Sequence, residues 1–291
     1  MIDCPRCHRH YTAPEYRCPD CGHTIERIHG FLAWAPDLAD TRDGFNPDYF
    51  AQLAAHESRH FWFRARNRLI VRALKRHVPH LRDFMEIGCG TGYVLGGIAR
   101  AFPAARLAGS ELHPQGLEFA AQRLPQAELM QMDARAIPYR EAWDVIGAFD
   151  VLEHIREDDA VIRAVHAALR PGGAFLLTVP QHPSLWSQMD ELACHQRRYR
   201  AKDLHRQLRQ AGFQIRRSSS FVTLLLPLMM LARRRAGPTD PQYDPLQELQ
   251  IAPWLNRCLE FVLTLERRLI CAGINLPVGG SRLVLAIKPR P

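Results

Sequence analysis

Between residues 83 and 179 the chain alternates short apolar runs with longer stretches in which apolar side chains recur every three to four positions. The runs are DFMEI (83–87), RLAGS (106–110), AELMQM (127–132), WDVIGAF (143–149) and AFLLTV (174–179). Between them, GYVLGGIARAF, PQGLEFAAQRL and EDDAVIRAVHAALR are patterned as amphipathic helices. Strands spaced by helices in this way predict βαβ units with right-handed crossovers, hence an α/β fold with a doubly wound, mostly parallel sheet covered on both faces. FQIRRSSSF (213–221) and the closing RLVLAIKP bring the expected strand count to seven.

The flanks are patterned differently. AAHESRHFWFRARNRLIVRALKRHV (54–78) predicts one amphipathic helix ended by Pro79, with an aromatic cluster at His60, Phe61, Trp62 and Phe63. Before it, residues 29–56 carry few strong signals and are expected to form an irregular linker with aromatic anchors. Residues 222–280 form a helical insertion ahead of the last strand. Within it VTLLLPLMMLARRR is too short an apolar run to span a bilayer; it predicts a helix buried over an acceptor pocket, or one lying in a membrane interface through 221–235. GPTDPQYDP follows as a turn-rich link, and PWLNRCLEFVLTLERRLICAG as a helix ended by Gly273. The domains expected are therefore an N-terminal module (1–28), a linker (29–56) and a main domain (57–291).

At 291 residues and 47% apolar content the chain can bury a full core. The formal charge of +8 favours anionic partners such as nucleic acid, lipid head groups or phosphorylated substrates. The start of the chain lacks the pattern of a secretory leader, so a cytoplasmic protein is expected, peripheral at the inner membrane face if 221–235 lies in the interface.

Cys4, Cys7, Cys18 and Cys21 are spaced Cys-x2-Cys, ten residues, Cys-x2-Cys. Two such knuckles close a tetrahedral S4 shell of the kind structural Zn²⁺ prefers, and the segment resembles a zinc ribbon. Two disulfides are the competing pairing, which a reducing cytoplasm opposes. Four cysteines leave no open position for catalysis, so the ribbon is read as structural and able to dock a protein partner.

MEIGCGTGYVLGG (85–97) joins the end of the first strand to the next helix. Gly88, Gly90 and Gly92 permit positive φ and close approach of a ligand, and the helix start offers free N–H groups. Nineteen residues beyond Gly92, Glu111 ends the second strand, where a carboxylate accepts both ribose hydroxyls. Asp133 followed by the small Ala134 suits an adenine edge and ring.

EIGCGTG, Glu111, the MDA stretch, FDVLEHI and LRPGGAFLLTVP resemble, in order and spacing, the class I S-adenosylmethionine-dependent methyltransferases. The resemblance implies that Glu86, Gly88, Gly90 and Gly92 line the methionine part of the cofactor. It further implies that Glu111 holds the ribose, that Asp133 and Ala134 flank the adenine, and that Asp150 faces the methionine amino group or the substrate. His154, one turn past the fourth strand and at a place where similar ubiquinone-type O-methyltransferases have a histidine, is a candidate base, against a capping or packing role. His195 is a second candidate. It lies in VPQHPSLWSQMDELACHQRRYRAKDL (179–204), where His182, Trp186, Arg198 and Tyr199 are candidate acceptor contacts, together with Trp62 and Arg64 upstream; a solvated loop is the alternative. The expected reaction is O-methylation of a small-molecule or lipid- or glycan-linked acceptor. A nucleic-acid methyltransferase using the ribbon on RNA, and a non-catalytic cofactor-binding scaffold, remain as alternatives.

Overall fold

The computed structural model describes residues 1–12, 16–41, 45–235 and 250–291. The predicted link GPTDPQYDP lies outside the described residues, as do 13–15 of the N-terminal module and 42–44 of the predicted linker. Four short strands come first: β1 (Ile2–Asp3), β2 (His10–Tyr11), β3 (Arg27–Ile28) and β4 (Phe31–Ala33). Two helices follow, α1 (Phe50–His56) and α2 (Phe61–His77). The alternating part runs β5 (Asp83–Ile87), α3 (Tyr93–Ala101), β6 (Arg106–Glu111), α4 (Pro114–Arg123), β7 (Glu128–Gln131), β8 (Trp143–Phe149), α5 (Asp158–Ala168) and β9 (Leu169–Pro180). Then come α6 (Gln188–Leu192), α7 (Ala201–Gln210), β10 (Gln214–Phe221), α8 (Leu226–Arg235), α9 (Pro253–Cys271) and β11 (Ser281–Ile287).

Every strand predicted from the apolar runs is present, in the sheet order β10-β11-β9-β8-β5-β6-β7-β4-β3. β4 through β9 run parallel, while β11 lies antiparallel between β9 and β10. Alternate side chains feed opposite faces, as the two-residue period of a strand requires. In β9, Phe175, Leu177 and Val179 pack under α5 and α7, whereas Ala174 and Leu176 pack under α2, α3 and α9. The carboxyl ends of β5, β6 and β8 therefore meet at one edge, where such sheets bind ligands.

Three expectations change. The sheet has nine strands, because β4 pairs in parallel with β7 (Leu32 opposite Met130) and β3 pairs with β4. These residues fall in the stretch predicted as module end and irregular linker; three residues are too short a run to signal a strand. The single helix predicted over 54–78 is two helices, broken where Glu57 turns its carboxylate onto Thr91 Oγ1 (2.7 and 2.8 Å) and Arg123 (2.6 Å). Finally, α8 is not a buried roof. Leu228 is 54% exposed and Leu231 46%, and α9 likewise shows Trp254 and Phe261 to solvent.

Candidate functional site

Gly88, Gly90 and Gly92 all have positive φ (63°, 50° and 73°), so the chain leaves β5 in a conformation that L side chains rarely adopt. At Gly88 a Cβ would also meet Val151 at 2.5 Å. Glu111 fastens this turn to the end of β6: its carboxylate accepts from Gly90 N (3.0 Å) and Leu112 N (2.8 Å). Glu86, at the end of β5, is buried and its Oε2 has no partner. Burial pushes its carboxyl well above the usual range; the nearby Arg66 charge opposes this, and Glu57 and Glu111 add to it. An orphaned buried oxygen beside a glycine cradle fits a ligand with hydrogen-bond donors, which is the chemistry of a cationic amino-acid head. Asp133 lies after β7, but Arg135 Nε holds both its oxygens (3.0 and 2.9 Å); Ala134 packs against the core next to it.

Asp150, at the tip of β8, is a non-glycine residue with φ 59°, a strained state that persists where surrounding structure enforces it. Its amide donates to Thr178 O (2.9 Å) and its carboxylate pairs with Arg66 from α2. The Arg66 guanidinium lies 4.4 Å over the Trp62 ring, so Trp62 reaches the site through Arg66.

Immediately beyond, residues 152–154 form a 3₁₀ turn carrying Glu153 and His154. His195 comes to the same place from the stretch after α6, because Gln196 N donates to Glu153 O (2.6 Å) and ties the two segments. The His154 and His195 rings stand edge to face, 4.7 Å apart. Burial and the neighbouring His195 push the His154 imidazole down to about 3, so it stays neutral across the physiological range. Asp190, fully buried, accepts from His195 Nδ1 (2.8 Å) and Arg198 Nε (2.7 Å). Burial disfavours the Asp190 anion, but the His195 hydrogen bond and the Arg198 charge outweigh it and hold the carboxyl at about 2.

The remaining expected contacts divide. Arg198 joins the cluster through Asp190, and His182, with φ 62°, adjoins it after β9 through Gln181 (2.7 Å). Trp186 is half-exposed and donates to Glu191 (3.3 Å). Tyr199 points into the core, its hydroxyl donating to Asp158 (2.6 Å), and Arg64 turns to Glu260 on α9 (3.1 Å). Asp190 lies in the stretch 179–204 that the sequence marks for polar and aromatic functions, and three further residues enter the site that the sequence reading did not single out: Glu57, Arg66 and Glu153. Glu153 lies within a quoted motif and carried a signal; Glu57 and Arg66 arrive by helix packing and carried none.

The four N-terminal cysteines form a separate group, with Cys4 Sγ 3.6 Å from Cys21 Sγ and Cys7 Sγ 3.6 Å from Cys18 Sγ. All four ligand atoms lie within 4.8 Å of one another, and Cys4 and Cys18 are buried. Sulfurs about 2.3 Å from a central tetrahedral ion sit at such separations, so the donor set fits Zn²⁺.

Residues 54–218 match the family described as "Methyltransferase domain". A Mycolicibacterium smegmatis protein named "Probable S-adenosylmethionine-dependent methyltransferase" is 28% identical over 158 residues, covering 53% of this chain and 60% of its own. The ubiquinone biosynthesis O-methyltransferase of Bordetella avium is 30% identical over 111 residues, 35% of this chain and 44% of its own. The chain thus spans less than two thirds of either relative. Among solved structures, Haemonchus contortus phosphoethanolamine N-methyltransferase 2 with S-adenosyl-L-methionine superposes with a TM-score of 0.52 at 20% identity, over 77% of this chain and 52% of its own; that likeness is one of fold.

Proposed function

The chain belongs to the methyltransferase-domain family and is a class I S-adenosylmethionine-dependent methyltransferase; from that premise we propose that it methylates an oxygen of a small-molecule or lipid- or glycan-linked acceptor. The observation that carries this reading is the polar group of Glu153, His154 and His195 beside Asp150, at the carboxyl tip of β8. S-adenosylmethionine supplies an already activated methyl group, so the protein's work is to align the nucleophile and to handle its proton. Gly88 and Gly90 would give the cofactor room, Glu86 and Asp150 would receive its amino-acid head, and Glu111 its ribose. An oxygen nucleophile carries a proton that must be lost, whereas a tertiary amine does not, and the cluster stands where that loss can be assisted. His154 alone is a weak base, since an imidazole held down at about 3 has little affinity for a proton at neutral pH. We therefore assign activation of the acceptor to the three residues together. The exposed Leu228, Leu231 and Phe261 on α8 and α9 favour a lipid-linked acceptor, since they offer apolar surface to an acyl or isoprenyl chain.

Calorimetric titration with S-adenosylmethionine and, in parallel, NAD tests the cofactor assignment. Binding of the first alone is expected, and Glu111→Ala should weaken it by about 10- to 100-fold, the loss expected for hydrogen bonds to a charged group. Unchanged affinity in that variant would move the ribose elsewhere. Labelled methyl transfer to lipid, glycan and RNA extracts then separates the acceptor classes.

A further inference from the structure

We infer that Glu153, His154 and His195 form a binding site for one divalent transition-metal ion, open on the acceptor side and distinct from the cysteine cluster. One ligand atom of each residue lies within 4.8 Å of the other two. That compactness alone would not make a site. The second observation is that Glu153 is fully buried and neither of its carboxyl oxygens has a hydrogen-bond partner. Buried polar groups are almost always paired, because leaving one unmade costs free energy. Here two oxygens on one side chain are unpaired, and the buried Nδ1 of His154, a neighbour in the same compact group, is unpaired as well. Three orphaned ligand-type atoms on two residues of one such group are what a cation would satisfy.

The surroundings have the form that metal-ligating histidines need. His195 gives its Nδ1 to Asp190 at 2.8 Å, which fixes the ring orientation and leaves Nε2 for a ligand. Asp190 is fixed in turn by Arg198 Nε (2.7 Å) and Ser187 N (2.9 Å). A carboxylate behind an imidazole raises its basicity as a ligand, and such outer partners commonly contribute 10- to 100-fold in metal affinity. Two imidazoles and one carboxylate select Mn²⁺, Fe²⁺, Co²⁺ or Zn²⁺ over Mg²⁺ or Ca²⁺, which prefer oxygen throughout. Three protein ligands leave positions free, unlike the four cysteines, and an open site is the mark of a metal that meets a substrate.

Binding of the ion stands on this geometry alone; its use rests on the methyltransferase reading above. An acceptor hydroxyl drawn to the ion loses its proton more readily, as bound water does. The O–H bond breaks and its proton passes to solvent water. The oxygen then forms a bond to the methyl carbon as the methyl–sulfur bond breaks, and the sulfur keeps the electron pair.

The test uses the full chain, treated with a chelator and desalted, and titrated with Mn²⁺ followed by electron paramagnetic resonance and with Co²⁺ followed by its visible bands. Thiolate-bound Co²⁺ at the cysteines absorbs strongly in the near ultraviolet, so the two sites are told apart. One Mn²⁺ or Co²⁺ per chain outside the cysteines is expected, with affinity reduced at least 10-fold in Glu153→Gln and in His195→Ala. Circular dichroism and S-adenosylmethionine titration of both variants check that they fold. If neither ion binds outside the cysteines, or if both variants bind as tightly as the parent, the site does not exist. Metal binding without any S-adenosylmethionine binding would leave the site standing and remove the methyltransferase reading instead.

Discussion

Gly97 shows how far a single residue's effect depends on what it faces. In the middle of α3, replacing glycine by alanine ordinarily stabilises a helix by up to about 1 kcal/mol. Here a Cβ would collide with the Asn67 carboxamide of α2, whose Nδ2 is held by Tyr93 O at 3.0 Å. Gly97→Ala is therefore expected to destabilise the protein by about 1–3 kcal/mol, the cost of overpacking, as measured by urea denaturation. A gain would mean that Asn67 swings aside. The same contrast explains which site residues were legible. Gly88, Gly90, Gly92, Glu111 and the four cysteines announce themselves because local backbone or fixed spacing dictates them. Glu57, Arg66 and Asn67 do not, because α1 and α2 deliver them across space and nothing in their own stretch marks the destination.

At the scale of elements, the strands from β5 onward were readable from their apolar runs and the ends of α2 and α9 from Pro79 and Gly273, while the short strands β3 and β4 and the break at Glu57 were not. β5 illustrates what anchors a strand at its start. Burial disfavours the Asp83 anion, but Arg170 (2.6 Å) and Arg106 (2.8 Å) outweigh it and hold the carboxyl below the usual range. A depressed carboxylate contributes stability that is present above its unfolded value, near 3.8, and is lost as pH falls through the lower folded value. Both arginines are substantially exposed, so the contribution is about 1 kcal/mol or less. Asp83→Asn should lower the melting temperature at pH 7 and converge on the parent as pH drops below 3.8. A constant offset across that range would show that the loss comes from packing. The break at Glu57 and the exposure of α8 were hidden for a common reason: amphipathic periodicity says that a helix has an apolar face but not what, if anything, covers it.

For the whole molecule, the N-terminal cysteine module is fastened to β7 and to the connection between β7 and β8, with Ile2 and Tyr16 packed against the main core. Asp3 N donates to Pro138 O (2.7 Å), Arg140 N to Met1 O (3.0 Å), and Tyr16 to Glu128. Replacing Cys4 and Cys18 by serine should release one zinc ion per chain to a chromophoric chelator while the main thermal transition survives. Loss of that transition would make the module part of the core. Between the module and the core lies β4, and its pairing sets an order of assembly. Leu32 meets Met130, 98 positions later in the chain (130 minus 32), whereas β5 meets β6 after only 23 (Asp83 opposite Arg106). During synthesis the four cysteines leave the ribosome before β4 and can gather an ion at once, yet β4, joined on one side to its local partner β3, must wait with its other edge open until β7 has been made. Closure of such a long loop is slow. A ribosome stalled between these two strands would present a finished metal knot on a tether with an unsatisfied strand edge, and that nascent chain is where a chaperone has something to protect.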